Sequence, residues 1–193
     1  MNLAVLVSGR GSNLQAILDA GLAVTVVVSN VADAKALDIA MAHGVETLVL
    51  REKARGERDQ RLVHELAQRD IELIALAGYN RIFTPEVPRA FPNRILNIHP
   101  SLLPSFPGLA PIPQQSALQA GVKIAGCTVH IVTADLDAGP IVAQAAVPVL
   151  PDDTVETLSA RILEQEHRVF PEVLRKFMQG KLRVSGNRAW LLD

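Results

Sequence analysis

Cysteine is almost missing from this chain. Cys127 is the only one in 193 residues, so an intramolecular disulfide and a cysteine-built zinc site are both excluded. It sits in the apolar run 126–132, where a small packed side chain is expected. Aromatic residues are scarce as well, at 4% of the sequence against 49% hydrophobic overall, so the core must be made of aliphatic strands under Ala- and Leu-rich helices. A surplus of positive charge is lacking too. Nineteen Lys and Arg stand against twenty Asp and Glu, with no block of basic residues, which argues against a nucleic-acid partner. Long hydrophobic runs are also missing. The uncharged stretch 105–122 is broken by Pro107, Pro111 and Pro113, so no membrane span is expected. The apolar run 3–7 has no basic region before it and is too short for a signal peptide, so a cytoplasmic location is expected. A chain of 193 residues suits one domain, 1–193.

What is present is an alternation. Residues 3–8, 23–29, 46–50, 71–77 and 95–99 are Val-, Ile- and Leu-rich without strict polar alternation, as strands buried on both faces are. Between them, 14–20, 35–43, 57–69 and 85–91 read as helices. Gly21 and Gly44 follow two of these, where a helix C-cap is wanted. Strand–helix alternation predicts an α/β fold with a doubly wound, mostly parallel sheet. Past Pro100 the rhythm changes: a Pro-rich stretch to Pro113, a short helix at 114–120, and late strands at 128–132 and 141–149. A long helical pattern then covers 154–179, in which Pro171 is expected to kink or divide the helix.

Three places could carry chemistry. After the first strand, Ser8-Gly9-Arg10-Gly11-Ser12-Asn13 leads straight into a helix. Ser12-Asn13-Leu14-Gln15 fits a capping box, and the glycines allow an anion to approach helix-start N–H groups. The third glycine of a dinucleotide fingerprint is replaced by Leu14, which leaves a monophosphate site or a plain tight turn. At the end of the fifth strand, Asn97 and His99 lie two apart and share a face. An amide donor beside an imidazole can stabilise an oxyanion and move a proton, although a single strand-end His also serves as a hydrogen-bonded structural residue. The third place is the turn Asp135-Leu136-Asp137-Ala138-Gly139-Pro140, whose composition also suits a turn with no chemistry. A carboxylate from there reaching His99 would favour the imidazolium. His130, inside a strand, is expected to pack; His43, His64 and His167 sit on helical patterns with no chemical partner in view.

Together, Val7-Ser8-Gly9-x-Gly11-Ser12-Asn13-Leu14-Gln15, Ala77-Gly78-Tyr79-x-Arg81-Ile82, Asn97-Ile98-His99-Pro100-Ser101-Leu102-Leu103-Pro104, Asp137-x-Gly139-Pro140 and Gln165-Glu166-His167 resemble the phosphoribosylglycinamide formyltransferases. That resemblance implies a Rossmann-like fold. It implies an enzyme of purine synthesis that takes a formyl group from 10-formyltetrahydrofolate, as cosubstrate, to the amine of phosphoribosylglycinamide, without a metal. Gly11, Ser12 and Asn13 would hold the substrate phosphate, and Glu166 would contact the nucleotide. Arg55 would touch the folate, and Asn80, Arg81, Ile82 and Phe83 would border its pterin through backbone groups. Asn97, which would also meet the folate, His99 and Asp137 would be catalytic, and the chain would act as a monomer or homodimer.

One departure stands out. Gly108-Leu109-Ala110-Pro111-Ile112-Pro113-Gln114-Gln115 is about two residues longer than the usual pattern and lacks a histidine after Gly-Leu. Its prolines predict a stiff rim of the site. Rival readings are another folate-dependent formyl enzyme of the same fold and a non-catalytic nucleotide-binding module. A methionyl-tRNA formyltransferase would carry a further C-terminal domain, and a formyltetrahydrofolate hydrolase an extra N-terminal one.

Overall fold

A computed structural model describes residues 1–192. The chain divides into two compact units, Met1–Leu96 and the remainder from Asn97. The first is built from β1 (Asn2–Val7), α1 (Ser12–Asp19), β2 (Val26–Ser29), α2 (Lys35–Ala42), β3 (Glu46–Val49), α3 (Arg55–Ala67), β4 (Ile71–Leu76) and α4 (Glu86–Ala90). All four strands run parallel in the order β3-β2-β1-β4. Leu3 to Val7 are wholly buried, which is why the strand shows no polar alternation; each of its Leu and Val side chains contributes roughly 1.5–3 kcal/mol of burial. The chain winds outward from β1 to β3 and then returns to the other side of β1. The order therefore reverses between β1 and β4, and open α/β sheets bind ligands beyond the strand ends at such a switch point.

Strand β5 (Ile95–His99) begins in the first unit and ends in the second. The second unit continues with α5 (Pro113–Ala120), β6 (Ile124–Ile131), β7 (Ile141–Pro148), α6 (Val155–Met178), β8 (Leu182–Ser185) and β9 (Arg188–Leu191). β6 and β7 are antiparallel, β7 and β9 parallel, and β8 and β9 antiparallel. Helix α6 packs on β6 and β7 with Leu158, Ile162, Val169, Phe170, Val173 and Leu174 buried. The architecture is thus α/β with a mostly parallel sheet and a long C-terminal helix.

Several expectations need correcting. Pro171 does not divide α6, which runs unbroken for 24 residues. The backbone hydrogen bond lost at Pro171 is a cost of about 3 kcal/mol, and the burial of Phe170, Pro171, Val173 and Leu174 offsets it. Strand β6 starts at Ile124 rather than 128, because the uncharged run before Thr128 is already strand. The hairpin β8–β9 was not expected at all. Its signal is the alternating burial of Leu182–Ser185 and Arg188–Leu191 around the two-residue Gly186-Asn187 turn. The capping box expected at Ser12 is not formed: Gly11 is the N-cap of α1 and no side chain caps the helix. A reciprocal box occurs instead on α6, between Thr154 and Thr157.

Candidate active site

In the first unit, the turn after β1 is shaped by Gly11. Its φ of +81° and ψ of 17° are left-handed, and a Cβ there would lie 2.8 Å from both Cα and Cβ of Ala36. Only glycine meets both conditions. The Gly9 carbonyl accepts from Ala36 N at 3.1 Å, so the start of α2 buttresses the turn. Ser12 is the first helical residue and Asn13 is buried.

The ends of β1, β2 and β4 are tied by a small polar ring. Ser8 Oγ donates to Asn30 Oδ1 at 2.5 Å, Asn30 Nδ2 donates to Asn80 Oδ1 at 3.1 Å, and Asn80 N donates to Ser8 Oγ at 2.9 Å. The turn before α1 and the 80–83 segment, predicted as phosphate and pterin contacts, are therefore brought side by side at the switch point. Arg81 and Ile82 are exposed. The Phe83 side chain is buried and stacks on Tyr79 with ring centroids 5.5 Å apart and planes 28° apart. Of the backbone groups expected to meet the pterin, Asn80 N–H is held by Ser8 and the Ile82 carbonyl by Arg58. Arg55, exposed, opens α3.

In the second unit, Asn97, His99 and Asp137 converge. His99 Nδ1 is 3.5 Å from Asp137 Oδ2, and His99 Nε2 donates to the Phe106 carbonyl at 3.0 Å. The ring is 2% exposed, and both nitrogens face oxygen atoms. Asp137, at φ +50°, has its carboxylate held from several sides. Burial pushes its carboxyl up, but hydrogen bonding from His130 and from Gly108 N–H, with the fields of His99 and His130, holds it below the ordinary value. The Gly108 N–H donates at 2.7 Å. The Pro-rich segment thus touches the cluster through its backbone, while Leu109 and Ile112 are exposed. Gly139 closes the turn: a Cβ there would meet the Ile131 carbonyl oxygen at 1.9 Å.

Expected only to pack, His130 in fact belongs to this cluster. It is 1% exposed, its Nε2 lies 3.5 Å from Asp137 Oδ1, and Asn97 Nδ2 stands 3.1 Å from that same nitrogen. Its Nδ1 donates to the Ile131 carbonyl at 3.1 Å. Its Nε2 thus faces both the Asn97 amide and the Asp137 carboxylate. The pairing of β6 with β7 slips between Val129 and His130, a bulge of the kind that re-aims a side chain. The legible hint was Thr128 and His130, two apart and therefore on one face of an otherwise apolar strand, since buried polar groups need partners. Thr128 supplies the counterpart: its hydroxyl donates to the Ser101 carbonyl and accepts from Leu103 N, anchoring the segment after His99.

Glu166 is buried on α6, and its field adds to the burial that pushes the Cys127 thiol up to about 12, so Cys127 is no nucleophile at neutral pH. Among the described residues no His, Cys, Asp and Glu group could hold a metal, and no helix is long and apolar enough to cross a membrane.

A parallel α/β unit with a glycine turn at its switch point, followed by an Asn–His–Asp cluster, has the parts of a group-transfer enzyme. Residues 1–174 match the formyl transferase family, and the chain belongs to that family of enzymes. The phosphoribosylglycinamide formyltransferase of Escherichia coli (strain K12) is 42% identical over 99% of this chain and 93% of its own. The crystal structure of glycinamide ribonucleotide transformylase 1 from Symbiobacterium toebii superposes with a TM-score of 0.95 at 50% identity, covering 100% of this chain and 94% of that one. A formyltetrahydrofolate deformylase from Pseudomonas syringae pv. tomato shares the fold, with a TM-score of 0.92 at 25% identity, and this chain covers 66% of it.

Proposed function

We propose that this chain is a cytoplasmic phosphoribosylglycinamide formyltransferase, residues 1–193 forming one formyltransferase domain that uses 10-formyltetrahydrofolate as cosubstrate. The observation that carries the chemistry is the convergence of Asn97, His99 and Asp137, which supports formyl transfer over a passive nucleotide-binding module. The family match spans both units, which supports the single domain.

The neutral glycinamide amine attacks the formyl carbon, and negative charge gathers on the formyl oxygen. The second amide hydrogen of Asn97 Nδ2, the first being directed at His130, stabilises that oxygen; such a donor is commonly worth about 3–4 kcal/mol. His99 holds the proton that must reach the departing folate nitrogen as the C–N bond breaks. The amine nitrogen loses its own proton in the same exchange, so no proton is consumed overall. Because His99 Nε2 donates to Phe106, it reaches the substrate by leaving that carbonyl or through a bridging water. Asp137 orients the ring and balances its charge. Gly11, Ser12 and Asn13 hold the ribonucleotide phosphate at the α1 N-terminus, with Glu166 toward the nucleotide. Arg55 and the 80–83 segment hold the folate, Phe83 through its backbone alone.

The reading is tested by formyl transfer from 10-formyltetrahydrofolate to glycinamide ribonucleotide with purified protein, followed by the absorbance of the released folate. Release of formate without the ribonucleotide would instead identify a hydrolase. A first variant probes the phosphate turn. Gly11→Ala places a Cβ against the α2 backbone at a left-handed residue, and should raise the ribonucleotide KM about tenfold or more with the folate KM within threefold. Equal changes in both would count against the assignment.

A further inference from the structure

Helix α3 carries a buried ion pair to which the chemistry above assigns no task. Arg58 and Asp59 are adjacent, with side chains 6% and 0% exposed. Arg58 Nε and Nη2 both donate to Asp59 Oδ1, at 3.0 and 2.8 Å. Burying two charges is costly, and apolar replacements of such pairs are often neutral or stabilising, so stability alone is a poor reason for this one. What the pair holds is specific. Arg58 Nη2 also donates to the Ile82 carbonyl at 3.1 Å, and Asp59 Oδ2 accepts from Thr84 N at 2.5 Å. The two charges thus grip the backbone on either side of Phe83, whose ring stacks inward on Tyr79. Upstream, Asn80 is fixed by Ser8 and Asn30. The 80–84 segment is pinned at both ends and underneath, while Ile82 is left 48% exposed on a rigid ledge.

We propose that Arg58 and Asp59 are positioning residues that hold the 82–84 backbone in the shape that receives the flat ring of the folate. This rests on the reading that the 80–83 segment borders the pterin. The guanidinium fork is essential to it, because one planar group bonds a carboxylate and a carbonyl at once, which a lysine ammonium on a flexible stem does not reproduce.

Two variants test the proposal. The double change R58L/D59L removes both charges together and leaves no unpaired one; Arg58→Lys keeps the charge and loses the fork. Tetrahydrofolate binding is followed by intrinsic fluorescence, ribonucleotide binding by calorimetry, and protection of the Thr84 amide by hydrogen exchange. In R58L/D59L, tetrahydrofolate binding should weaken about tenfold or more and Thr84 protection should fall, with ribonucleotide binding within twofold of wild type. Arg58→Lys should weaken tetrahydrofolate binding about three- to tenfold. A folded Arg58→Lys or R58L/D59L protein that binds tetrahydrofolate as wild type does would overturn the proposal, as would equal weakening toward both ligands. Wild-type protein that binds no tetrahydrofolate would overturn the folate reading itself, an outcome distinguishable from the others because the Thr84 exchange measurement does not depend on it.

Discussion

Asn97→Ala is expected to lower kcat about a hundredfold or more while leaving both KM values within about threefold. The basis is where its amide stands: Nδ2 is 3.1 Å from His130 Nε2, so the side chain is oriented before any substrate arrives. A donor already aimed at the position where charge develops contributes to the transition state and little to the ground state, and removing one commonly costs 10²–10³ in kcat. Steady-state kinetics with each substrate varied in turn separates the outcomes. A rise in KM with kcat unchanged would make Asn97 a binding residue and require a different source of oxyanion stabilisation.

Asp137→Asn should be at least as damaging to kcat, by about a hundredfold or more, because one carboxylate serves two histidines. Its two oxygens lie 3.5 Å from His99 Nδ1 and 3.5 Å from His130 Nε2, while Oδ2 also accepts from Gly108. An amide of the same shape has one acceptor oxygen: at the Oδ2 position it keeps His99 and Gly108 but turns an NH₂ toward His130, and flipped it loses both, so the charge goes and ring orientation is disturbed. The stability of the fold should report the same carboxylate. Its folded pKa is lowered, so its contribution is fully present above the unfolded value, about 3.9, and is lost as pH falls through the lower folded value. Wild type should therefore have a higher Tm than Asp137→Asn at pH 6, and the gap should narrow as the pH drops below about 4. A gap that stays constant to lower pH would mean that packing, not the ionised carboxyl, sets the difference.

Local sequence was informative wherever a local rule has one solution. The aliphatic runs of β1, β2 and β4 could only be strands covered on both faces, and β5 was bounded by its apolar residues at Ile95–His99. The glycines around Gly11 marked a tight turn between strand and helix, and the i, i+2 spacing placed Asn97 and His99 on one face. These follow from backbone sterics and the two-residue period of a strand, which need no knowledge of distant chain. Tertiary structure decided the rest. Pro171 has a strong local preference to break a helix, yet packing of its neighbours kept α6 whole. Nothing local shows that Arg58 and Asp59 are buried against Ile82 and Thr84, or that the Phe83 ring turns onto Tyr79. His130 shows the division most clearly. Its strand is legible, but its place between Asn97 and Asp137 depends on a bulge against β7 and on a turn seven residues further on. Neighbouring residues determine which conformations a segment can adopt; which polar groups must share one buried space is set by the strands and turns that the fold brings against them.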